Sequence, residues 1–246
     1  MGNTARNLDV IHVPRVHIHN KSIGLNCTLI EGLFKYEYHQ KVGISEHQEL
    51  IKAVFDKVAT TFLLAALAPL MLTIGLAIKL TSSGPAVFVQ KRVGKNGKIF
   101  DFYKFRSMNA DAEDHKKELM KFNEMDGPAF KILNDPRLTS LGKLLRKTSL
   151  DELPQLFNVL KGDMSLVGPR PPLPEEVAQY KNWHFKRLSV RPGITCIWQV
   201  SGRNNIKSFT DWIRSDLFYI DNYSFLNDIK LLLKTVKVVL MRTGAH

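Results

Sequence analysis

The sequence predicts an α+β fold, mainly helical, anchored in a membrane. Three observations carry that reading. Residues 58–78, VATTFLLAALAPLMLTIGLAI, are uncharged and mostly apolar. Residues 86–93 and 98–105 are β-rich and partly alternating, and the Asn96-Gly97 pair between them is a strong hairpin-turn signal. Residues 227–242, NDIKLLLKTVKVVLMR, have the spacing of an amphipathic helix.

As a helix, the apolar run would reach about 31 Å, enough to cross a hydrocarbon core. Pro69 at its centre removes a backbone hydrogen bond and predicts a kink. Both flanks are basic, with Lys52 and Lys57 before the run and Lys79, Lys91 and Arg92 after it. Positive flanks stay on the cytoplasmic side, so both ends are expected on one face. A re-entrant helix broken at Pro69 satisfies both facts, and a kinked spanning helix is the alternative.

A chain of 246 residues fits one domain with an appendage. Residues 1–49 have weak periodicity and read as a leader or linker, with residues 50–246 as the folded body and 58–80 as its membrane helix. His17 and His19 lack a third ligand nearby and do not make a metal site. The first 50 residues carry no apolar signal-peptide core, and MGNTAR lacks the hydroxyl residue of a myristoylation signal. Cys27 and Cys196 form no metal-binding spacing or disulfide framework, which suits a reducing compartment.

The balance of charge is unusual. Lys and Arg number 35 against 23 Asp and Glu, a formal charge of +12. Such a surface favours phosphates, acidic lipid or nucleic acid. A nucleic-acid binder would have no use for the apolar run, so nucleic acid is not expected as a partner.

Residues 111–122, DAEDHKKELMKF, read as a charged surface helix. Leu141, Leu144 and Leu145 have helical spacing among Lys143, Arg146 and Lys147. In the last segment Ile229, Leu232, Leu233, Val236 and Leu240 make an apolar stripe. Lys230, Lys234 and Lys237 line another face, and Asn227 and Asp228 are expected to cap the start. That helix either packs on the core or lies on an anionic membrane surface.

The chemistry concentrates in residues 148–172, TSLDELPQLFNVLKGDMSLVGPRPP. Asp151 and Glu152 follow Ser149 in a capping-box pattern, which is a sufficient structural explanation by itself. Pro154 opposes it, because proline prefers the first helical position and would start the helix at residue 153 or 154. The two acids would then project from the mouth of the helix. Leu156, Phe157 and Leu160 are expected to pack inward, and Gly162 to end the helix. Spacing alone leaves capping and chemistry equally open.

The surroundings favour chemistry. Lys104, Arg106, Arg146, Lys147 and Arg170 could together neutralise a diphosphate. A carboxylate attacks phosphorus once cations mask the phosphate charge. Mg²⁺ takes one or two carboxylates with phosphate oxygens, so one acid can hold metal while its neighbour attacks. The stiff Gly168-Pro169-Arg170-Pro171-Pro172 run would hold Arg170 in place, or is simply a tight connection.

Here the chain resembles a known family. KFRSM, DPRLTSLGKLLRKTSLDELPQLFNVLKGDMSLVGPRPP and RLSVRPGITCIWQVSGRNN are similar to the bacterial sugar transferases, the monotopic polyprenyl-phosphate phosphoglycosyl transferases that initiate exopolysaccharide or capsule assembly. The resemblance covers residues 50–246. It implies an enzyme on the cytoplasmic face of a bacterial inner membrane that moves a sugar-1-phosphate from a UDP-sugar to undecaprenyl phosphate and releases UMP. It also implies a covalent aspartyl-phosphosugar intermediate. Residue by residue, the nucleophile falls on Asp151 and its metal-holding partner on Glu152, with Mg²⁺ as the cofactor. Phosphate-holding roles fall on Arg146 and Arg170, and less firmly on Lys104. The family's re-entrant break falls on Pro69.

Two departures stand out. Smaller, bacillosamine-type members carry Ser where this chain has Ala68, so Thr73 or a neighbour would have to serve the freed backbone. Larger members carry several upstream membrane helices where this chain has residues 1–49.

Gln199, Arg203 and Asn204 in IWQVSGRNN are candidates for the sugar or the uracil, with a hydrogen-bonded loop as the plain alternative. Trp198 reads as core, and Asp216 as a support for the site or a helix cap. The rival function is a catalytically inactive membrane-bound scaffold of a polysaccharide assembly complex. The sugar, the glycan pathway and any homo-oligomer stay open.

Overall fold

The computed structural model describes residues 44–201 and 208–241. His17, His19, Cys27, Arg203 and Asn204 therefore lie outside the described residues, as does nearly all of the expected leader.

Helix α1 (Glu46–Thr81) has 36 residues and a length of roughly 54 Å. It starts before the apolar run because Ser45 caps it. The Gln48 N–H donates to Ser45 Oγ, and the Ser45 N–H donates to Gln48 Oε1. Lys52, Asp56 and Thr60 recur every four residues and are all buried. Two residues after each of them, Val54, Val58 and Phe62 face outward. Along this stretch the helix is inside-out by the standard of a protein in water, burying polar groups against the body and turning large apolar ones away. Phe62 is 71% exposed, Leu72 76% and Leu80 78%. A surface of that kind needs an apolar neighbour, and the lipid bilayer supplies one.

The inward polar stripe has partners in the body. Lys52 makes a buried ion pair with Asp228, which also accepts from the Tyr219 hydroxyl at 2.8 Å. Asp56 accepts from the Leu166 N–H at 3.3 Å. Lys52 is therefore not a free basic flank of the membrane run, whereas Lys57 and Lys79 are exposed. Pro69 lies inside the helix and withdraws the donor that the Ala65 carbonyl would otherwise use. The Thr73 hydroxyl donates to the Pro69 carbonyl at 2.9 Å, so it serves that carbonyl and not the freed one.

Contact with the body continues on both sides of the proline. Leu64 and Leu67 pack on the main core, and Met71, Ile74 and Ile78 pack with Phe105 and Leu145. The C-terminal end is fastened too, since Arg106 Nη2 donates to the Ser82 carbonyl at 2.9 Å. The helix nevertheless runs unbroken through Pro69 and is long and apolar enough to cross a membrane.

Strands β1 (Val87–Val93) and β2 (Ile99–Phe105) form the expected hairpin, with Val87 opposite Phe105 and Val93 opposite Ile99. Asn96 and Gly97 both take positive φ, 57° and 78°, as a tight hairpin turn requires. Short helix α2 (Lys116–Leu119) and a 3-10 turn over Met120–Phe122 replace the longer helix expected over 111–122. That segment buries only Ala112, too little to stabilise three turns. Helix α3 (Ser140–Lys147) buries Leu145, half-buries Leu141 and leaves Leu144 exposed.

Helix α4 (Gln155–Lys161) begins just after Pro154 and ends at Gly162, whose φ is 88°. Asn158 clamps it to β2: its Nδ2 donates to the Asp101 carbonyl at 2.6 Å, and its Oδ1 accepts from the Tyr103 N–H at 3.1 Å. That clamp sets the helix rotation. Leu156 and Val159 are buried, while Phe157 and Leu160 are turned outward, contrary to expectation.

Strands β3 (Ser165–Val167) and β4 (Gly193–Thr195) form a short parallel pair. Between them come α5 (Pro174–Val177) and a 3-10 segment over Asn182–Ser189. Helices α6 (Ile197–Val200), α7 (Phe209–Asp221) and α8 (Phe225–Met241) complete the body. The main core joins Phe100 and Phe102 of β2, Leu156 and Val159 of α4, Leu166 and Val167 of β3, and Tyr219, Ile220 and Leu231 of α7 and α8.

Helix α8 differs from its sequence reading. Ser224 caps it by accepting from the Asn227 N–H at 3.1 Å, and Asp228 is the buried partner of Lys52. Of the expected stripe, Leu232 packs half-buried on the core and Ile229 is half-buried, whereas Leu233 and Val236 are exposed beside Lys230, Lys234 and Lys237; Leu231, outside the stripe, faces the core.

Lys52→Met strands a buried carboxylate and is expected to cost about 3–5 kcal/mol. Adding Asp228→Asn should restore at least half of the loss. Thermal unfolding in detergent measures both. A cost near the ±0.5 kcal/mol or so of an ordinary surface change would show that the pair does not hold α1 to the body.

Candidate active site

Asp151 sits in a 3-10 turn, Leu150–Glu152, between α3 and α4. Ser149 before it has φ 57°, a left-handed conformation that non-glycine residues rarely take. Pro154 immediately precedes α4, and no side-chain cap bond is made by either Ser149 or Pro154 at these starts. The capping-box reading of Ser149 and Glu152 is thereby replaced. The turn leaves Asp151 buried and lining a cavity of about 320 Å³.

Three supports bring cations to the same cavity. The first is α3. Thr139 caps it, accepting from the Gly142 N–H at 2.9 Å. Gly142 lies directly on the chain after β2, where a Cβ would meet the Ser107 carbonyl oxygen at 1.9 Å. That close approach lets Arg146 Nε donate to Ser107 Oγ at 3.0 Å, which orients the guanidinium. The second is β2, which carries Lys104 with its ammonium 5.0 Å from the Phe88 ring centre.

The third support is the proline-rich strap. Prolines have no N–H, so the run from 169 to 172 is rich in acceptors, and every one is taken. The Pro169 carbonyl accepts from the Gly193 N–H at 2.9 Å, and that of Arg170 from Arg187 Nη2 at 2.9 Å. The Pro171 carbonyl accepts from Arg92 Nη1 at 2.9 Å, and that of Pro172 from the Val93 N–H at 3.0 Å. Arg170 is fixed in backbone by this strap and in side chain by Glu152, at 3.1 Å. Behind it Arg187 is itself held by Asp216 at 2.6 Å and Tyr180 at 2.6 Å, all buried or nearly so. Asp216 is thus a support for the strap within α7 and caps nothing.

The electrostatics follow from crowding like charges away from water. Burial, then Arg146 and Arg92, push Lys104 down from its ordinary 10.5 to about 7. Burial and the neighbouring Arg170 lower Arg92 to about 10. Burial also lowers Arg146. Burial works against Arg170 as well, but the charge and hydrogen bond of Glu152 outweigh it and leave Arg170 raised. Cations under such strain favour an anionic ligand that relieves it.

Asp151, Glu152, Lys104, Arg146 and Arg170 all line this cavity. Arg106 does not. It lies one residue beyond β2 and donates to the carbonyl and hydroxyl of Ser82, a cation set at the C-terminal end of α1. Gln199 is also a correction: it is buried in α6, accepts from Cys196 Sγ at 3.0 Å and does not line the cavity. Its neighbour Trp198 does line it, stacked on Trp212 at 4.3 Å and 12°. Sequence reading missed Arg92, Arg137, Gln155, Arg187 and Trp212 as lining groups. Only Gln155, next to the motif, carried any local signal.

The donor set suits a hard cation. Asp151 and Glu152 put two carboxylates on one wall, and Mg²⁺ is held by one or two carboxylates plus substrate phosphate oxygens. Among the described residues no cluster of three or more His, Cys, Asp or Glu offers an all-protein cage. The residues therefore fit an ion whose shell the ligand completes.

Residues 47–242 match the family model described as bacterial sugar transferase. The galactosyl transferase CpsE of Streptococcus agalactiae is 57% identical over 162 residues, 66% of this chain and 36% of that protein. The undecaprenyl-phosphate galactose phosphotransferase of Salmonella typhimurium is 46% identical over 201 residues, 80% of this chain and 42% of that protein. The exopolysaccharide production protein ExoY of Rhizobium meliloti is 36% identical over 201 residues, 80% of this chain and 88% of that protein. The chain thus spans roughly two fifths of the first two relatives and most of the third.

The Lys104 shift has a measurable sign. Between about 7 and 10.5 the unfolded chain binds the proton that the folded chain has lost, so this group makes stability rise with pH across that window. A phosphate group held in the cavity would return Lys104 toward its ordinary value. Binding of UDP at pH 8 should therefore take up a proton, seen by calorimetry in buffers of different ionisation enthalpy. Lys104→Met should abolish the uptake, and unchanged uptake in that variant would contradict the assignment.

Proposed function

The chain belongs to the bacterial sugar transferase family, and we propose that it transfers a sugar-1-phosphate from a UDP-sugar to undecaprenyl phosphate, releasing UMP. Galactose is the sugar we place first, because two of the relatives are named for it. The observation that carries the reading is the buried carboxylate of Asp151 in a cavity shared with Lys104, Arg146 and Arg170.

In this reading the donor's diphosphate lies against those three cations. An Asp151 carboxylate oxygen attacks the β-phosphorus, and the bond from that phosphorus to the bridging oxygen breaks. UMP leaves with the electron pair, and a phosphosugar remains on Asp151 as an acyl phosphate. An oxygen of undecaprenyl phosphate then attacks the same phosphorus. The bond to Asp151 breaks, which frees the carboxylate and yields the lipid diphosphosugar. The arginines hold phosphate oxygens by charge-assisted, forked hydrogen bonds through both displacements. Asp151 and Glu152 would hold Mg²⁺, which supplies further neutralisation of phosphate charge when bound. Glu152 also keeps Arg170 in position.

The fold suits a soluble donor and a lipid acceptor. Helix α1 turns its apolar face outward along its length while the body grips its other face on both sides of Pro69. That supports a monotopic protein dipped into one leaflet, with exposed Lys57, Lys79 and the lysines of α8 on the cytoplasmic side of a bacterial inner membrane.

UMP release across a panel of UDP-sugars, with undecaprenyl phosphate present, tests the proposal. Turnover is expected with one hexose donor, and Asp151→Asn should lower it by on the order of 10³-fold or more with folding retained. An Asp151→Asn chain at full speed would overturn it, and a wild-type chain without turnover on any donor would favour an inactive scaffold.

A further inference from the structure

The cavity carries a second set of groups, neutral ones, that the phosphate chemistry does not use. Gln155 is 1% exposed, and its Nε2 has no hydrogen-bond partner. Trp198 Nε1 and Trp212 Nε1 have none either. All three residues line the same cavity as Asp151. Buried amide and indole donors are ordinarily paired, because an unmade hydrogen bond away from water costs free energy. Three donors on residues that line one cavity have no acceptor in the structure.

Their chemistry says which part of a ligand they suit. The phosphates have cations to hold them, and a neutral N–H competes poorly with a guanidinium for an anion. Hydroxyl and carbonyl oxygens are the neutral acceptors of a nucleotide-sugar. The two indoles cover each other on one face, so what each still offers is its N–H edge and its outer face. Gln155 opens α4 directly after the turn that holds Asp151, so it stands close in the chain to the group proposed to bond phosphorus.

We propose that Gln155, Trp198 and Trp212 read the neutral part of the donor, pairing their free N–H groups with hydroxyl or carbonyl oxygens of the nucleotide-sugar. This inference rests on the transferase reading. It makes these residues specificity determinants, because a site whose buried donors are left unpaired rejects an analogue that lacks the matching oxygen.

A structural role and a ligand-reading role predict opposite things for one substitution. Gln155→Met removes an unpaired polar group and keeps its length. If the carboxamide waits for ligand, the ligand-free variant should melt at or above the wild-type temperature while losing affinity. The test uses the full chain in lipid nanodiscs with Mg²⁺. Equilibrium binding of UDP-galactose and of UMP is measured for wild type, Gln155→Met, Trp198→Phe and Trp212→Phe, with melting temperatures alongside. Gln155→Met and at least one tryptophan variant are expected to weaken UDP-galactose binding about tenfold or more. An equal loss for UMP assigns the donors to the uridine, and a loss confined to UDP-galactose assigns them to the sugar. Wild-type affinity in all three variants, or affinity losses that merely follow falling melting temperatures, would overturn the inference and leave the transferase reading standing. A wild-type chain that binds neither nucleotide would overturn both.

Discussion

The structure is organised around one electrostatic constraint: a carboxylate is buried beside cations that burial itself destabilises. Loss of water pushes Lys104, Arg92 and Arg146 toward their neutral forms; the charge of Arg170 adds to this in all three, and Arg146 and Arg92 add further to it at Lys104. Asp151 and Glu152 answer part of that charge, and a diphosphate would answer the rest. Holding like charges together requires rigid backing. The acceptor-rich strap from 169 to 172 has each carbonyl taken by a donor from elsewhere in the fold, and the Arg187–Asp216 pair braces it from behind. Gly142 plays the same part for Arg146 by letting α3 touch the backbone at Ser107. Preorganised charge of this sort is what phosphoryl transfer asks of a protein, since the phosphorus chemistry itself needs little else.

The membrane helix obeys a complementary constraint. A segment facing lipid must turn its polar groups inward, and α1 does so with Lys52, Asp56 and Thr60. Those groups then become the means of attachment to the body. The ion pair from Lys52 to Asp228 ties the first turns of α1 to α8, and Arg106 ties its last turn to the chain after β2. The catalytic body and the membrane element are consequently packed as one core, since Leu64 and Leu67 join the cluster that also holds Leu156 next to the site.

What could be read from the sequence was what local chemistry decides. Asn96-Gly97 specified its turn because few other pairs tolerate two positive φ angles in succession. Pro154 and Gly162 bounded α4 for equally local reasons. The apolar run announced a membrane helix, and the short stretch from Arg146 to Arg170 gave away the part of the cavity's charged wall that holds Asp151 and Glu152. The errors fell where distant partners decide. Asp228 resembles a helix cap until Lys52, 176 residues away, is seen beside it. Arg106 and Gln199 looked like ligand-facing groups, and only the packing shows Ser82 and Cys196 as their partners. Phe157 and Leu160 are turned outward because Asn158 is needed inward to grip β2. Arg92, Arg137 and Trp212 reach the cavity from separate segments, and no spacing rule connects those segments.

The most direct measurement looks for the bond itself. The full chain in nanodiscs is incubated with UDP-galactose and Mg²⁺, without lipid acceptor, then digested, and its peptides are weighed. A hexose phosphate carried on Asp151, lost again when undecaprenyl phosphate is added, is the result expected. A chain that completes turnover while Asp151 stays unmodified throughout would contradict a carboxylate that bonds to phosphorus.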